Sequence, residues 1–193
     1  MNYSDIIDEV VAWTKRPDLS AKTASAVRTA TMFAHRSDNY WRDLNSDILV
    51  PISAAEGIIL LDSYLPRFRE IASIEPEDNG TLFPGLVPRD VDDLFDEYST
   101  RRKNWFLGTR QGIRYNTAIL TPNLQISYYM DPDTNPTTYD SWIADIYPDV
   151  IIKWATGLMF RTIGNSDESK AEIEGAQALL QTMVSHDFAI KGR

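Results

Sequence analysis

The apolar residues of this chain change their spacing twice. From Tyr3 to Leu44, and again from Trp142 to Val184, they recur every three or four residues; between these stretches they cluster in short branched or alternating runs. Amphipathic helices at both ends must therefore share a chain with strands in the middle. At 193 residues the chain is long enough for one sizeable core and too short for two full-sized domains.

Tyr3, Ile6, Ile7, Val10, Val11 and Thr14 predict a first helix capped by Ser4 or Asp5 and ended by Arg16-Pro17, because the residue before proline is pushed out of the α region. Ser20 is the expected cap of a second helix with Ala24, Val27, Ala30, Ala34, Trp41 and Leu44 on its apolar face. Strands are expected at Gly57–Tyr64, at Phe68–Ile74 with its two-residue spacing, and at Gly112–Leu120 and Leu124–Met130. In the last of these, Leu124, Ile126 and Tyr128 alternate with polar neighbours, as in a half-buried antiparallel strand. Asp78-Asn79-Gly80 signals a turn, and Pro88 with the following aspartates a short helix. Residues 131–138 hold two prolines and no apolar side chain and read as loop. Beyond them come a helix from Trp142, a restart at Pro148, a stop at Gly164 and a final helix carrying Ile173, Ala176, Leu180, Met183 and Val184.

The fold expected from this pattern is α+β and mainly α: two terminal helical hairpins form a four-helix bundle, because neither hairpin alone buries its stripe, with a central antiparallel β-rich insertion. The expected division is 1–56 with 139–193 for the bundle and 57–138 for the insertion.

Composition narrows the chemistry. There is no cysteine, which excludes disulfides, thiolate metal sites and a cysteine nucleophile. The net charge of -9 disfavours wrapping of nucleic-acid phosphates. No run reaches the length of a membrane-spanning helix, and the acidic N-terminus differs from a signal peptide, so the expectation is a protein used inside a cell or inside something assembled there. No GxSxG, HExxH or Walker-type loop occurs. His35 and His186 each fall on an expected helix and read as surface or hydrogen-bonded residues. Asp131-x-Asp133-x-Asn135 begins like a calcium loop, but Pro136 and Trp142 stand where the glycine and the bidentate glutamate belong. The acidic run Asp90, Asp92, Asp93, Asp96 and Glu97 shows no opposing carboxylate and reads as a solvated helix face. Arg101, Arg102 and Lys103, followed by Trp105, Phe106, Arg110 and Arg114, form the one basic strip; it reads as a neutraliser of that run or of a neighbouring subunit, before nucleic-acid binding. No catalytic set, metal site or cofactor is expected.

Several ordered strings carry a resemblance. Asp140-Ser141-Trp142-Ile143-Ala144-Asp145-Ile146-Tyr147-Pro148-Asp149-Val150 joins a tryptophan–aliphatic pair to Tyr-Pro-Asp and an apolar helix. Leu124–Pro132 precedes it as a last strand, and Ile6–Leu44, with Arg36-Ser37-Asp38-Asn39-Tyr40-Trp41, provides N-terminal helices. Leu65-Pro66 and Phe68-Arg69-Glu70-Ile71 fall between them. In this order the chain resembles the head-to-tail adaptor (connector, head-completion) proteins of tailed bacteriophages; residues 75–111 match least. The resemblance implies a non-enzymatic virion protein of the neck, assembled in the host cytoplasm as a ring of about twelve copies. Such a ring sits below the portal, extends the DNA channel and offers a platform to tail or tail-nozzle proteins. The implied partners are further copies, the portal and the tail proteins; DNA passes without specific binding, and no membrane is involved. By the same analogy Phe188, Ile190, Lys191 and Arg193 are candidates for portal docking, Arg101, Arg102 and Lys103 for contacts between subunits, and Asp90, Asp92, Asp93, Asp131 and Asp133 for the channel wall, where acids would not grip phosphates. The alternatives are an acidic cytosolic protein-binding module acting as monomer or dimer, and a hydrolase with paired carboxylates.

Overall fold

The computed structural model describes residues 1–89 and 103–191, with side chains through His186. Its helices are α1 (Tyr3–Thr14), α2 (Ser20–Arg36), α3 (Leu61–Tyr64), α4 (Trp142–Ile146), α5 (Pro148–Thr162) and α6 (Ser166–Lys191). The strands are β1 (Leu44–Pro51), β2 (Glu56–Leu60), β3 (Phe68–Asp78), β4 (Thr81–Leu82), β5 (Val87–Pro88), β6 (Trp105–Gly108), β7 (Gly112–Asn116) and β8 (Asn123–Met130). Two compact units result: Met1–Asp43 with Asp131–Arg193, and Leu44–Met130.

The helical unit corrects the expected architecture. It is not a four-helix bundle of two terminal hairpins with a central insertion. Among the described residues there are six helices and two sheets, and α5 is a hub packed by α1, α2, α4 and α6. Val150, Ile151, Ile152, Trp154, Ala155, Thr156, Gly157 and Met159 of α5 are all buried. A helix buried on nearly every side needs neighbours all round, which one facing stripe cannot supply. On the side of α6 the approach is close: a Cβ on Gly157 would lie 2.7 Å from Cγ1 of Ile173.

Helix ends also depart from expectation. The cap of α1 is Asn2, whose side chain accepts from the Asp5 N–H at 2.9 Å while the Asp5 carboxylate accepts from the Asn2 N–H. Ser20 is the first residue of α2 and caps nothing by its side chain. That helix stops at Arg36 and does not run on to Leu44. Ser37 donates to the Ala34 carbonyl, Asp38 accepts from the Asn39 N–H, and Tyr40 turns into the core at 1% exposure. Local side-chain bonds of this kind compete with helix continuation. Trp41–Asp43 then make a 3-10 turn, and Leu44 opens β1.

The β unit holds two four-stranded sheets, of order β1-β8-β3-β4 and β2-β7-β6-β5. Its strand pairs are antiparallel except β5 with β6. β8 is central in the first sheet, and Leu124, Ile126 and Tyr128 are fully buried, in the alternation the sequence displays. They form a core with Val50, Ile59, Leu65, Ile74, Leu86, Ile113 and Tyr115. The alternation read at Phe68, Glu70, Ala72 and Ile74 does not hold. Register shifts lie between Phe68 and Glu70 and between Ile71 and Ser73, so Glu70 and Ala72 are exposed. The expected strand at 57–64 ends at Leu60, where the chain turns into α3, and that at 112–120 ends at Asn116. Val87–Pro88 is a strand, and the remainder of the helix expected from Pro88 lies outside the described residues.

Asn79 and Gly80, at φ 49° and 82°, make the two-residue turn between β3 and β4. Glu77 accepts from the Gly80 N–H and from the Asn123 amide. These bonds, the backbone one first, hold its carboxyl below the usual glutamate range. A lowered native value stabilises the fold above the ordinary value and loses that contribution as pH falls through the native one. In denaturant titrations, Glu77→Gln is expected to be less stable than the wild type at neutral pH. The difference should shrink below the ordinary value of 4.5.

Gly112 and Gly108 provide a matched pair. A Cβ on Gly112 would collide with the Ile59 carbonyl of the paired strand, whereas one on Gly108 would meet nothing within 4 Å. Gly112→Ala is expected to cost about 1–3 kcal/mol and Gly108→Ala less than about 0.5 kcal/mol, measured by urea denaturation.

Candidate functional site

The richest polar constellation gathers at the last turn of α2, where the chain leaves the helical unit and returns to it. His35 and Arg36 are consecutive. Nδ1 of His35 lies 2.9 Å from Oδ1 of Asp43, the final residue before β1. Arg36 donates through Nε to Asp131, the first residue after β8, at 2.9 Å, and its Nη2 reaches the second carboxylate oxygen. One helical turn thus holds both connectors through an acid each.

The His35 side extends inward. Nε2 lies 2.9 Å from Oγ of Ser141, and Trp142 Nε1 donates to the same Asp43 oxygen at 2.7 Å. The donors fix the ring's orientation. A carboxylate only accepts, so Nδ1 carries the proton toward Asp43; in the neutral ring Nε2 accepts the Ser141 hydroxyl. Oγ of Ser141 in turn accepts from the Ala144 N–H and caps α4. The Trp142 ring packs edge-on against His35 and Tyr40, and the Arg42 guanidinium lies 5.5 Å from its centroid.

Asp43, His35 and Ser141 stand in the order of a hydrolytic triad, yet the arrangement does not serve nucleophilic attack. His35 is 1% exposed, Ser141 4% and Asp43 5%, and the serine oxygen is engaged as a helix cap. A nucleophile needs room for a substrate carbonyl beside it and donors for the oxyanion. The cluster acts as a clasp that satisfies buried polar groups and fixes α2, α4 and the outgoing connector together.

A second feature lies wholly within the β unit. A cavity of about 500 Å³ is lined by Phe68, Ile71, Ile74, Leu86, Phe106 and Ile113, with Arg69 and Glu70 also at its wall. Its size and lining are those of a small-molecule pocket.

The candidates read from sequence do not converge on one place. Asp131 is the acid clasped by Arg36, with a side chain only 15% exposed. Asp133 accepts from the Asn135 N–H and the Thr138 hydroxyl and bridges to Asp140, closing its own turn. Both carboxylates are thus engaged within the chain. Lys103 is exposed. From the rest of the basic strip, Arg114 donates to Glu56 at 2.6 Å and lies 5.9 Å from the Trp105 centroid. Asp90, Asp92, Asp93, Arg101 and Arg102 lie outside the described residues, as do Arg193 and the side chains of Phe188, Ile190 and Lys191. Among the described residues no three His, Asp or Glu side chains gather as a metal site, and no helix is long and apolar enough to cross a membrane.

The clasp escaped sequence reasoning because its members lie 8 and 106 positions apart. Two signals pointed to it: His35 falls on the apolar face with Val27, Thr31 and Ala34, and Ser141 directly precedes an apolar helix. Asp43→Ala removes the acceptor shared by His35 and Trp142 and is expected to cost about 2–4 kcal/mol. Ser141→Ala is expected to cost about 1 kcal/mol. Thermal and urea unfolding of the two variants would measure this order; equal costs would remove Asp43 from the centre of the network.

No family model matches the chain, and no curated protein matches its sequence.

Proposed function

We propose that this chain is a structural, non-enzymatic subunit of a ring at the neck of a tailed-phage particle, joining the portal to the tail. The observation that carries the reading is apolar surface on the β unit. Leu49, Ile58, Leu60, Val87 and Leu120 are each exposed by half or more, and Ile58 and Leu60 share one face of an edge strand. The Ile58–Leu60 face of that edge strand supports a protein-binding reading. The ordered strings from Ile6 to Val150 add the likeness to head-to-tail adaptors. In this reading the last residues, Phe188, Ile190, Lys191 and Arg193, dock on the portal, and the β unit meets neighbouring copies and tail proteins.

Negative-stain electron microscopy of the tagged chain, purified with what it retains from its native lysate, tests this. Rings of about twelve copies stacked on a second ring are the expected result. A monomer bound to one soluble partner, with no ring in either free or particle-derived material, would replace the adaptor by an acidic binding module.

A further inference from the structure

We propose that Asn79 is a deamidation site held back in the folded chain by the Glu77 carboxylate, which binds the backbone N–H that would attack it. The inference stands apart from the ring reading.

Asn79-Gly80 is the one Asn-Gly step in the sequence. Asparagine is a thermolabile residue. When it reacts, the backbone nitrogen of the next residue gives up its proton and attacks Cγ of the carboxamide. The new C–N bond closes a five-membered succinimide, and the side-chain nitrogen takes up the proton and leaves as ammonia. Water then opens the ring at either carbonyl, leaving an aspartate or an isoaspartate at the position. A following glycine is the most permissive neighbour, because no Cβ hinders the approach. Asn79 and Gly80 are both exposed, and a Cβ on Gly80 would meet nothing within 4 Å. Neither burial nor crowding therefore protects this step.

Protection falls to the nucleophile's partner. The Gly80 N–H donates to Oε1 of Glu77 at 2.5 Å. Removing that proton would break a hydrogen bond to a charged acceptor and leave two negative charges side by side. Glu77 does not serve as the base instead. The Gly80 N–H and the Asn123 amide hold its carboxyl below the usual glutamate range, which makes it a weaker proton acceptor than a free carboxylate. The carboxamide under attack is engaged too, since Nδ2 of Asn79 donates to Oδ1 of Asp78 at 2.9 Å. The stake is the hairpin itself. Its register rests on Glu77 opposite Leu82 and Asp78 opposite Thr81. An isoaspartate would add a main-chain methylene to this two-residue turn, and either product would set a further carboxylate beside Asp78. The dipeptide that suits the turn is thus also its chemical weak point.

Peptide mass spectrometry during storage at neutral pH tests this, reading amide-to-acid conversion at position 79 and isoaspartate by enzymatic methylation. The folded wild type is expected to convert at least about tenfold more slowly than the same chain unfolded in guanidinium. Glu77→Gln keeps the size of the side chain and removes its charge. Folded by circular dichroism, it should convert at least about fivefold faster than the wild type. Asn123→Ala removes the other partner of Glu77 but leaves the carboxylate on the Gly80 N–H, and should stay within about twofold of the wild type. Should Glu77→Gln fail to fold, Glu77→Asp, which withdraws the carboxylate by one methylene, carries the same expectation. A folded wild type that converts as fast as the unfolded chain overturns the proposal, as does a folded Glu77 variant that converts at the wild-type rate. An Asn123→Ala chain accelerated as much as Glu77→Gln also overturns it, because loosening of the turn would then set the rate in place of the carboxylate.

Discussion

The helical unit depends on the burial of α5. Its residues from Val150 to Met159 present apolar atoms on nearly every side, so the helix is stable only when surrounded. Four helices, drawn from both ends of the chain, do this. Helices α1 and α2 come from the N-terminus, α4 leads into the hub, and α6 lies so close that Gly157 leaves no room for a Cβ. The chain ends must therefore meet, and the residues between them leave as a unit with its own core.

That closure creates a problem of connection, which the last turn of α2 solves. Two segments must cross out of the helical unit, and each brings an aspartate to consecutive residues of one helix. The two attachments differ in physical character. His35 with Asp43 is buried, shares Ser141 and Trp142, and derives its strength from mutual satisfaction of groups that would otherwise be stranded without water. Arg36 with Asp131 is more open, and its geometry is the two-pronged guanidinium–carboxylate contact. The resemblance of the first to a catalytic triad is one of composition only, since the buried serine oxygen is engaged as the cap of α4.

The surfaces left over have a common theme. The β unit exposes branched apolar side chains, and the helical unit exposes the rings of Trp13, beside Lys153, and Phe33, stacked on Trp154. In the proposed ring these are the side chains on which partners would pack.

Much was legible without coordinates. The alternation of Leu124, Ile126 and Tyr128, the Asn79-Gly80 turn, the proline restart at Pro148 and the helical spacing at both ends are local signals, each enforced by backbone geometry or a period of two or 3.6. What local signals could not settle was decided by packing. The end of α2 at Arg36 depends on Tyr40 finding the core, and the register of β3 depends on bulges against β8. The division of strands between two sheets and the role of α5 as a hub follow from which faces meet. His35, Asp43 and Ser141 form one network only because residues far apart in sequence are brought within hydrogen-bond distance, and no spacing rule encodes that. The sequence by itself determined the helical character of both ends, the alternating strand at 124–130 and where charge lies along the chain; the tertiary structure decided where α2 ends, that 44–51 is a strand and which residues touch, because long-range contact depends on how all the apolar faces are buried at once.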